Sequence, residues 1–397
     1  MRFILMLTLS LTTLFACDQS TTSNPEPQPT TQSPPGAIAS SENTDPLLGL
    51  PPVPIPADNL QTPDKIALGE KLFNDKRFSI DGTVSCANCH KEKLAFTDGL
   101  QFSVGHHGLT GTRNAPTVVN AAFYKSQFWD GREPDLEGQS KQPFINPVEG
   151  GLADHEPILQ IVRTDPDYQK AFNSVFGAAG DQLTMDHVAK AIASFERSQV
   201  SGNSPFDRYY FNNDKDALTE AQVRGFQLFI GQGRCVSCHT IEQDHTLFTD
   251  SRFHNIGIGI NAVQQDVPRL ATAFLEAKAK GGDVDQMVLT DKKSSELGRF
   301  AVTDQLAEIG AFKTPTLRNI DLTAPYMHDG SLKTLREVVI HYNNGGVTPA
   351  DAKVNDFLSG GIRPLNLTEA QIDDLVAFMK ALTSPRFASS SADAAPQ

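Results

Sequence analysis

Positive charge is in short supply. The 397 residues carry 34 Lys and Arg against 47 Asp and Glu, a formal net charge of −13. That balance argues against nucleic acid as a partner. Strand signal is also scarce. The apolar run near the start, Phe3 to Phe15, is too short to span a bilayer comfortably. There is one tryptophan, Trp129, and there are only five cysteines: Cys17, Cys86, Cys89, Cys235 and Cys238.

Four of those cysteines form two copies of one pattern, Cys86-Ala-Asn-Cys89-His90 and Cys235-Val-Ser-Cys238-His239. C-x-x-C-H is the attachment signal for c-type haem: two thiols bond the porphyrin and the adjacent histidine ligates the iron. Zinc sites place their cysteine pairs much closer together and need no histidine after each pair. A thioredoxin-like redox site needs one such motif, not two. The expectation is two covalently bound haem c groups.

The fifth cysteine ends Leu14-Phe15-Ala16-Cys17, after Met1-Arg2 and the short apolar run. That order describes a secretory signal, and its ending resembles a bacterial lipobox. It implies a lipid on Cys17 that anchors the protein at a membrane, with a periplasmic location; Asp18 resembles a signal for retention at the inner membrane. Residues 18–50 are rich in Ser, Thr, Pro and Gln and read as a disordered tether. Residues 388–397 read as a tail.

The remaining chain repeats itself. Asp64 to Phe73 precedes the first haem motif and Ala221 to Ile230 precedes the second, both with helical apolar spacing. Thr62 before Pro63 reads as an N-cap, and Thr219 with Gln222 as a capping box. Pro116-Thr-Val-Val-Asn120 matches Pro315-Thr-Leu-Arg-Asn319, and each is followed by Asp-Gly, at Asp130-Gly131 and Asp329-Gly330. Each half closes with an amphipathic helix opening in Leu-Thr, near 183–197 and 367–382. Val188, Ile192 and Phe195 line up there with Ile372, Val376 and Met379. The expected fold is mainly α with little β: two cytochrome c-like domains related by internal duplication, at 51–205 and 206–387. The 240–300 stretch reads as a surface insertion.

Over about residues 52–385 the chain resembles the bacterial dihaem cytochrome c peroxidases, a family that includes MauG-like enzymes. The resemblance rests on Arg113-Asn-Ala-Pro-Thr-Val-Val-Asn120, Phe128-Trp-Asp-Gly-Arg132, Asn146-Pro-Val-Glu149, and Lys313-Thr-Pro-Thr-Leu-Arg-Asn-Ile320 through Ala324-Pro-Tyr-Met-His-Asp-Gly330. It implies a peroxide-binding haem on Cys86, Cys89 and His90, and an electron-relaying haem on Cys235, Cys238 and His239. Trp129 matches the tryptophan between the haems. Glu149 matches the distal acid, whose carboxylate can take a proton from one peroxide oxygen and return it to the other.

His106, sixteen residues after His90, matches a removable distal iron ligand, and His107 beside it could serve instead. Tyr342 stands where better-known members place a methionine sixth ligand, and so resembles the MauG-like branch; His341 and Met327 compete for that role. A phenolate would favour ferric iron. The family also implies a calcium ion held by Asn114, Thr323 and Pro325, through oxygen ligands. The activity implied is that of a cytochrome-c peroxidase: hydrogen peroxide reduced to water with electrons from a small redox protein, a cytochrome c or cupredoxin. The alternative is a MauG-like dihaem oxidase that modifies side chains of a partner protein through high-valent iron. A homodimer is implied by resemblance alone.

Overall fold

The computed structural model describes residues 45–348, 351 and 353–387. The expected signal peptide, Cys17, most of the expected tether and the expected 388–397 tail lie outside those residues. The first long helix, α1 (Pro63–Phe73), starts where local chemistry starts it: Thr62 is the N-cap and accepts from Lys65 N, with Pro63 at the first helical position. Then come α2 (Glu156–Thr164), α3 (Pro166–Phe176) and α4 (Met185–Ser198). The second half opens with α5 (Pro205–Phe211) and α6 (Glu220–Ile230), the latter carrying the expected Thr219/Gln222 capping box. It continues with α7 (Val267–Ala279), α8 (Val284–Thr290), α9 (Leu335–Asn343) and α10 (Glu369–Lys380). Strand is confined, among the described residues, to β1 (Phe253–His254) and β2 (Phe312–Lys313), which pair antiparallel.

The two helix crossings that organise the molecule have the same geometry. In α1, a Cβ on Gly69 would lie 2.0 Å from Ala191 O and 2.9 Å from Phe195 Cβ of α4. In α6, a Cβ on Gly225 would lie 2.0 Å from Asp374 O and 2.7 Å from Phe378 Cβ of α10. Only glycine lets these backbones approach so closely. The structure shifts the expected alignment by one residue, since Phe195 is matched by Phe378 rather than by Met379. Val376 is only half-buried, whereas Leu375 is in the core. A one-residue shift on a helix turns the contact face by about 100°, which sequence alignment at the helix start does not register.

Loop geometry repeats too. Asn120 (φ 64°) and Asn319 (φ 59°) both occupy the left-handed region. Their Oδ1 atoms accept from Ser201 N at 2.9 Å and Ser384 N at 2.8 Å. The turns that follow are pinched by matching antiparallel bridges, Gln127 with Glu133 and Tyr326 with Leu332.

Two expectations change. Residues 46–50 are held, not tethering. Arg318 Nη2 donates to Gly49 O at 2.6 Å, while its guanidinium makes a paired contact with Asp207 at 2.8 and 2.9 Å. Gly202 N and Asn203 N bond the carbonyls of Pro46 and Leu48. The 240–300 stretch is not merely superficial either. Val267, Leu270, Phe274, Val288, Leu297 and Phe300 form their own buried cluster.

Candidate active site

Cys86 and Cys89 sit on a single helical turn, Cys86–Cys89, with His90 just after it. Cys235 opens the turn Cys235–Ser237, with Cys238 and His239 following. The four thiols are free of disulfides. Burial pushes three of them up: Cys86, Cys89 to about 11, with Glu149 adding to the rise, and Cys235 to about 12.

The two histidines are mounted alike. His90 Nδ1 donates to Phe96 O at 3.0 Å and His239 Nδ1 donates to Phe248 O at 2.8 Å. A carbonyl can only accept, so Nδ1 carries the proton and Nε2 keeps its lone pair. This is the arrangement that orients a metal-ligating imidazole. Burial lowers the pKa of both rings, favouring the neutral form. Phe96 (φ 57°) and Phe248 (φ 51°) both lie in the left-handed region, which is uncommon for so bulky a residue.

A cavity of about 620 Å³ borders the second motif, lined by Cys235, Cys238, His239, Trp129, Tyr342 and Met327 among others. That volume falls in the range of cofactor sites. Free thiols, an imidazole with an open Nε2 and a largely apolar cavity beside them are what a c-type haem requires. The donor set at the first motif is the same.

Glu149 lies close enough to the first motif to act on both Cys86 and Cys89. Burial pushes its pKa up to about 7, against the pull of Arg132. Asn146 Nδ2 donates to Glu149 Oε1 at 2.6 Å, and His106 N donates to Glu149 O at 2.9 Å. The His106 loop is therefore seated on the Glu149 turn. The structure separates the histidine doublet. His106 is buried, its Nε2 donating to Pro147 O at 2.9 Å, and its Nδ1 has no partner among the described residues. His107 is exposed and faces Asp81.

Trp129 donates Nε1–H to Asn114 O at 2.8 Å. Of the three competing ligands, Tyr342 and Met327 line the cavity. His341 is buried elsewhere, bonded through Nε2 to Ile256 O at 2.9 Å. Burial, then Cys235 and Cys238, raises the Tyr342 phenol above its ordinary value. Asn114, Thr323 and Pro325 line the same cavity, and the Asn114 amide nitrogen is tied to Leu100 O at 2.8 Å.

Three residues near the site were given no role by sequence reasoning. Arg132, which lowers the Glu149 pKa, stood inside a recognised motif. Glu196 is buried with Oε2 unpartnered, pushed up to about 8 by burial and then Glu137; only its place on the inner face of α4 signals it. Lys313 is buried beside the cavity, donating to Ser126 O at 2.9 Å with its ammonium group 3.8 Å over the Tyr124 ring. Burial pulls it down to about 7.

The family model described as di-haem cytochrome c peroxidase matches residues 63–216. A cytochrome-c peroxidase, IdrP1, of Denitromonas iodatirespirans is 39% identical over 353 residues, covering 87% of this chain and 89% of the relative. The methylamine utilization protein MauG of Methylorubrum extorquens is 36% identical over 330 residues, covering 83% and 81%. Among solved structures, a MauG-like protein associated with microbial copper homeostasis superposes with a TM-score of 0.69 at 32% identity, over 87% of this chain and 98% of that one. With both motifs mounted for haem and likeness extending over most of its length, this chain belongs to the di-haem cytochrome c peroxidase family, which implies two haem groups.

Proposed function

We propose that the protein reduces hydrogen peroxide to two waters, taking two electrons from a small redox protein and two protons from solvent. The two halves then act as cytochrome c-like domains related by duplication. Cys86 and Cys89 would hold one haem with His90 as its ligand; Cys235, Cys238 and His239 would hold the other. The haem would supply an iron that exchanges electrons and can bind an oxygen ligand.

The observation that carries this reading is Glu149: a half-buried carboxyl beside the first motif, raised to about 7. Cleaving H–O–O–H requires a proton to leave one oxygen and reach the other. A carboxyl with a pKa near working pH can accept that proton and give it back. Asn146 fixes the carboxylate by bonding Oε1. The carboxyl beside the second motif differs: Asp250 lies near Cys238, is bonded by His254 Nε2 at 2.7 Å and has its pKa lowered rather than raised, which suits electron entry better than proton transfer. Trp129, on the wall of the second cavity, is suited to passing electrons between the two, and His106 to closing the first site. Glu149→Gln tests the assignment: both haems should remain attached while turnover with reduced cytochrome c is lost. Unchanged turnover would remove Glu149 from the mechanism.

A second reading, oxidation of a partner protein's side chains, is favoured by Tyr342 on the cavity wall and by the MauG relatives. Peroxide-dependent mass changes in a co-purifying protein, without any reduced donor, would support it. The calcium ion on Asn114, Thr323 and Pro325, export and a lipid anchor on Cys17 belong to the same proposal.

A further inference from the structure

The turn that carries Trp129 is held from the other half of the molecule. Trp129 O accepts from Lys313 N at 2.8 Å. Asp130 O and Gly131 O accept from Arg299 Nη1 at 2.8 and 2.7 Å. Three consecutive carbonyls thus take their donors from the C-terminal half. The Arg299 guanidinium lies 4.4 Å over the Phe253 ring, and a Cβ on Gly131 would meet that same ring at 2.3 Å. The turn is therefore sandwiched as well as bonded.

The side chain of Asp130 is held at second hand. Arg113 and Arg132 both pair with it. Arg113 is itself gripped by fully buried Ser295: Nε donates to Ser295 Oγ at 3.1 Å and Nη2 to Ser295 O at 3.3 Å. Thr112 Oγ1 lies 3.1 Å from both Ser295 Oγ and Val288 O. Ser295 and Arg299 come from the region around the 240–300 stretch, for which sequence reasoning found no work. The matching turn in the second half is held in return: Asn114 N donates to His328 O at 2.7 Å and Gln101 Nε2 to Asp329 O at 3.0 Å.

We infer that Arg299 and Ser295 are positioning residues, which lock the Phe128–Arg132 turn so that Trp129 is fixed against the cavity of the second motif. Bonds to consecutive carbonyls remove the turn's freedom to rock. Electron passage through an indole, like any reaction step that depends on geometry, is sensitive to shifts of an ångström. Neither residue touches substrate or haem in this scheme; both act through the turn. The consequence for turnover rests on the peroxidase reading above, whereas the placement of Trp129 does not.

The test uses the dihaem protein and two readouts. Trp129 is the chain's single tryptophan, so its emission lifetime, shortened by nearby haem, reports where the turn sits. Arg299→Gln should keep both haems, add a longer-lived emission component and lower peroxide turnover roughly tenfold. Arg299→Lys, which keeps a cationic donor, should restore part of both, and Ser295→Ala should move both less. An unchanged Trp129 lifetime in Arg299→Gln overturns the inference whatever the turnover does. Should Arg299→Gln fail to accumulate, the same result in Ser295→Ala overturns it. If the wild type shows no peroxide turnover but the lifetimes move as stated, the positioning role stands and only the peroxidase reading falls.

Discussion

His90 and His239 are presented in the same way, each through Nδ1 to the carbonyl of a phenylalanine in the left-handed region. What surrounds them is not the same. Beside the first motif stand Glu149, with its raised pKa, and buried His106, bonded to the same turn. The second motif opens on a cavity walled by Tyr342, Met327 and Trp129. In the function proposed above, one scaffold, built twice, is furnished once for proton transfer and once for electron transfer. The shared part is backbone geometry, and the divergent part is a few side chains brought in by loops.

The sharpest way to break this comparison is at Glu149. Glu149→Gln should lower peroxide turnover roughly 100- to 10,000-fold, the range for loss of a positioned acid–base group. Haem content and the spectrum of the second site should be unchanged. Tyr342→Phe is the mirror experiment. With Tyr342 as the proposed anionic ligand, its removal should raise the midpoint potential of the C-terminal haem by on the order of 100 mV, leaving the N-terminal haem where it was. Spectroelectrochemical titration would reveal both, and a shift confined to the N-terminal haem would reverse the assignment.

The shared scaffold can be tested separately. Gly69→Ala and Gly225→Ala each drive a methyl group into a carbonyl 2.0 Å away, and each should cost about 1–3 kcal/mol as overpacking. Denaturant unfolding should find them comparable; tolerance of one and not the other would break the equivalence of the two crossings. The smallest expected effect is the pH dependence. Glu149 is raised to about 7, so its base form is present above pH 7 and lost below it. Turnover should therefore fall roughly tenfold per pH unit on the acid side, and Glu149→Gln should lose that limb.

Much of this was legible in the sequence because it is local. The Cys-x-x-Cys-His motifs, the Thr62 and Thr219 caps and the Asn-to-Asp-Gly spacing all lie within a few residues of what they specify. The partners of His90 and His239 were not legible, because a backbone carbonyl leaves no residue-type signature. Nor was Arg299, which reaches a turn 168 residues away. The one-residue shift to Phe378 came from crossing geometry, not from either helix alone. The anchoring of residues 46–50 depends on Arg318, whose use is invisible until the chain has folded around it.

The central proposal is that the two haem sites are unequal: the first, gated by His106, takes small ligands, and the second, with Tyr342 as its sixth ligand, passes electrons. Cyanide titration of the half-reduced protein, followed by low-temperature EPR and absorption and run in parallel with Tyr342→Phe, tests this most directly. Cyanide should change the signal of one haem only, and Tyr342→Phe should change the other. If both perturbations fall on the same haem, the assignment of reaction centre and electron port is wrong.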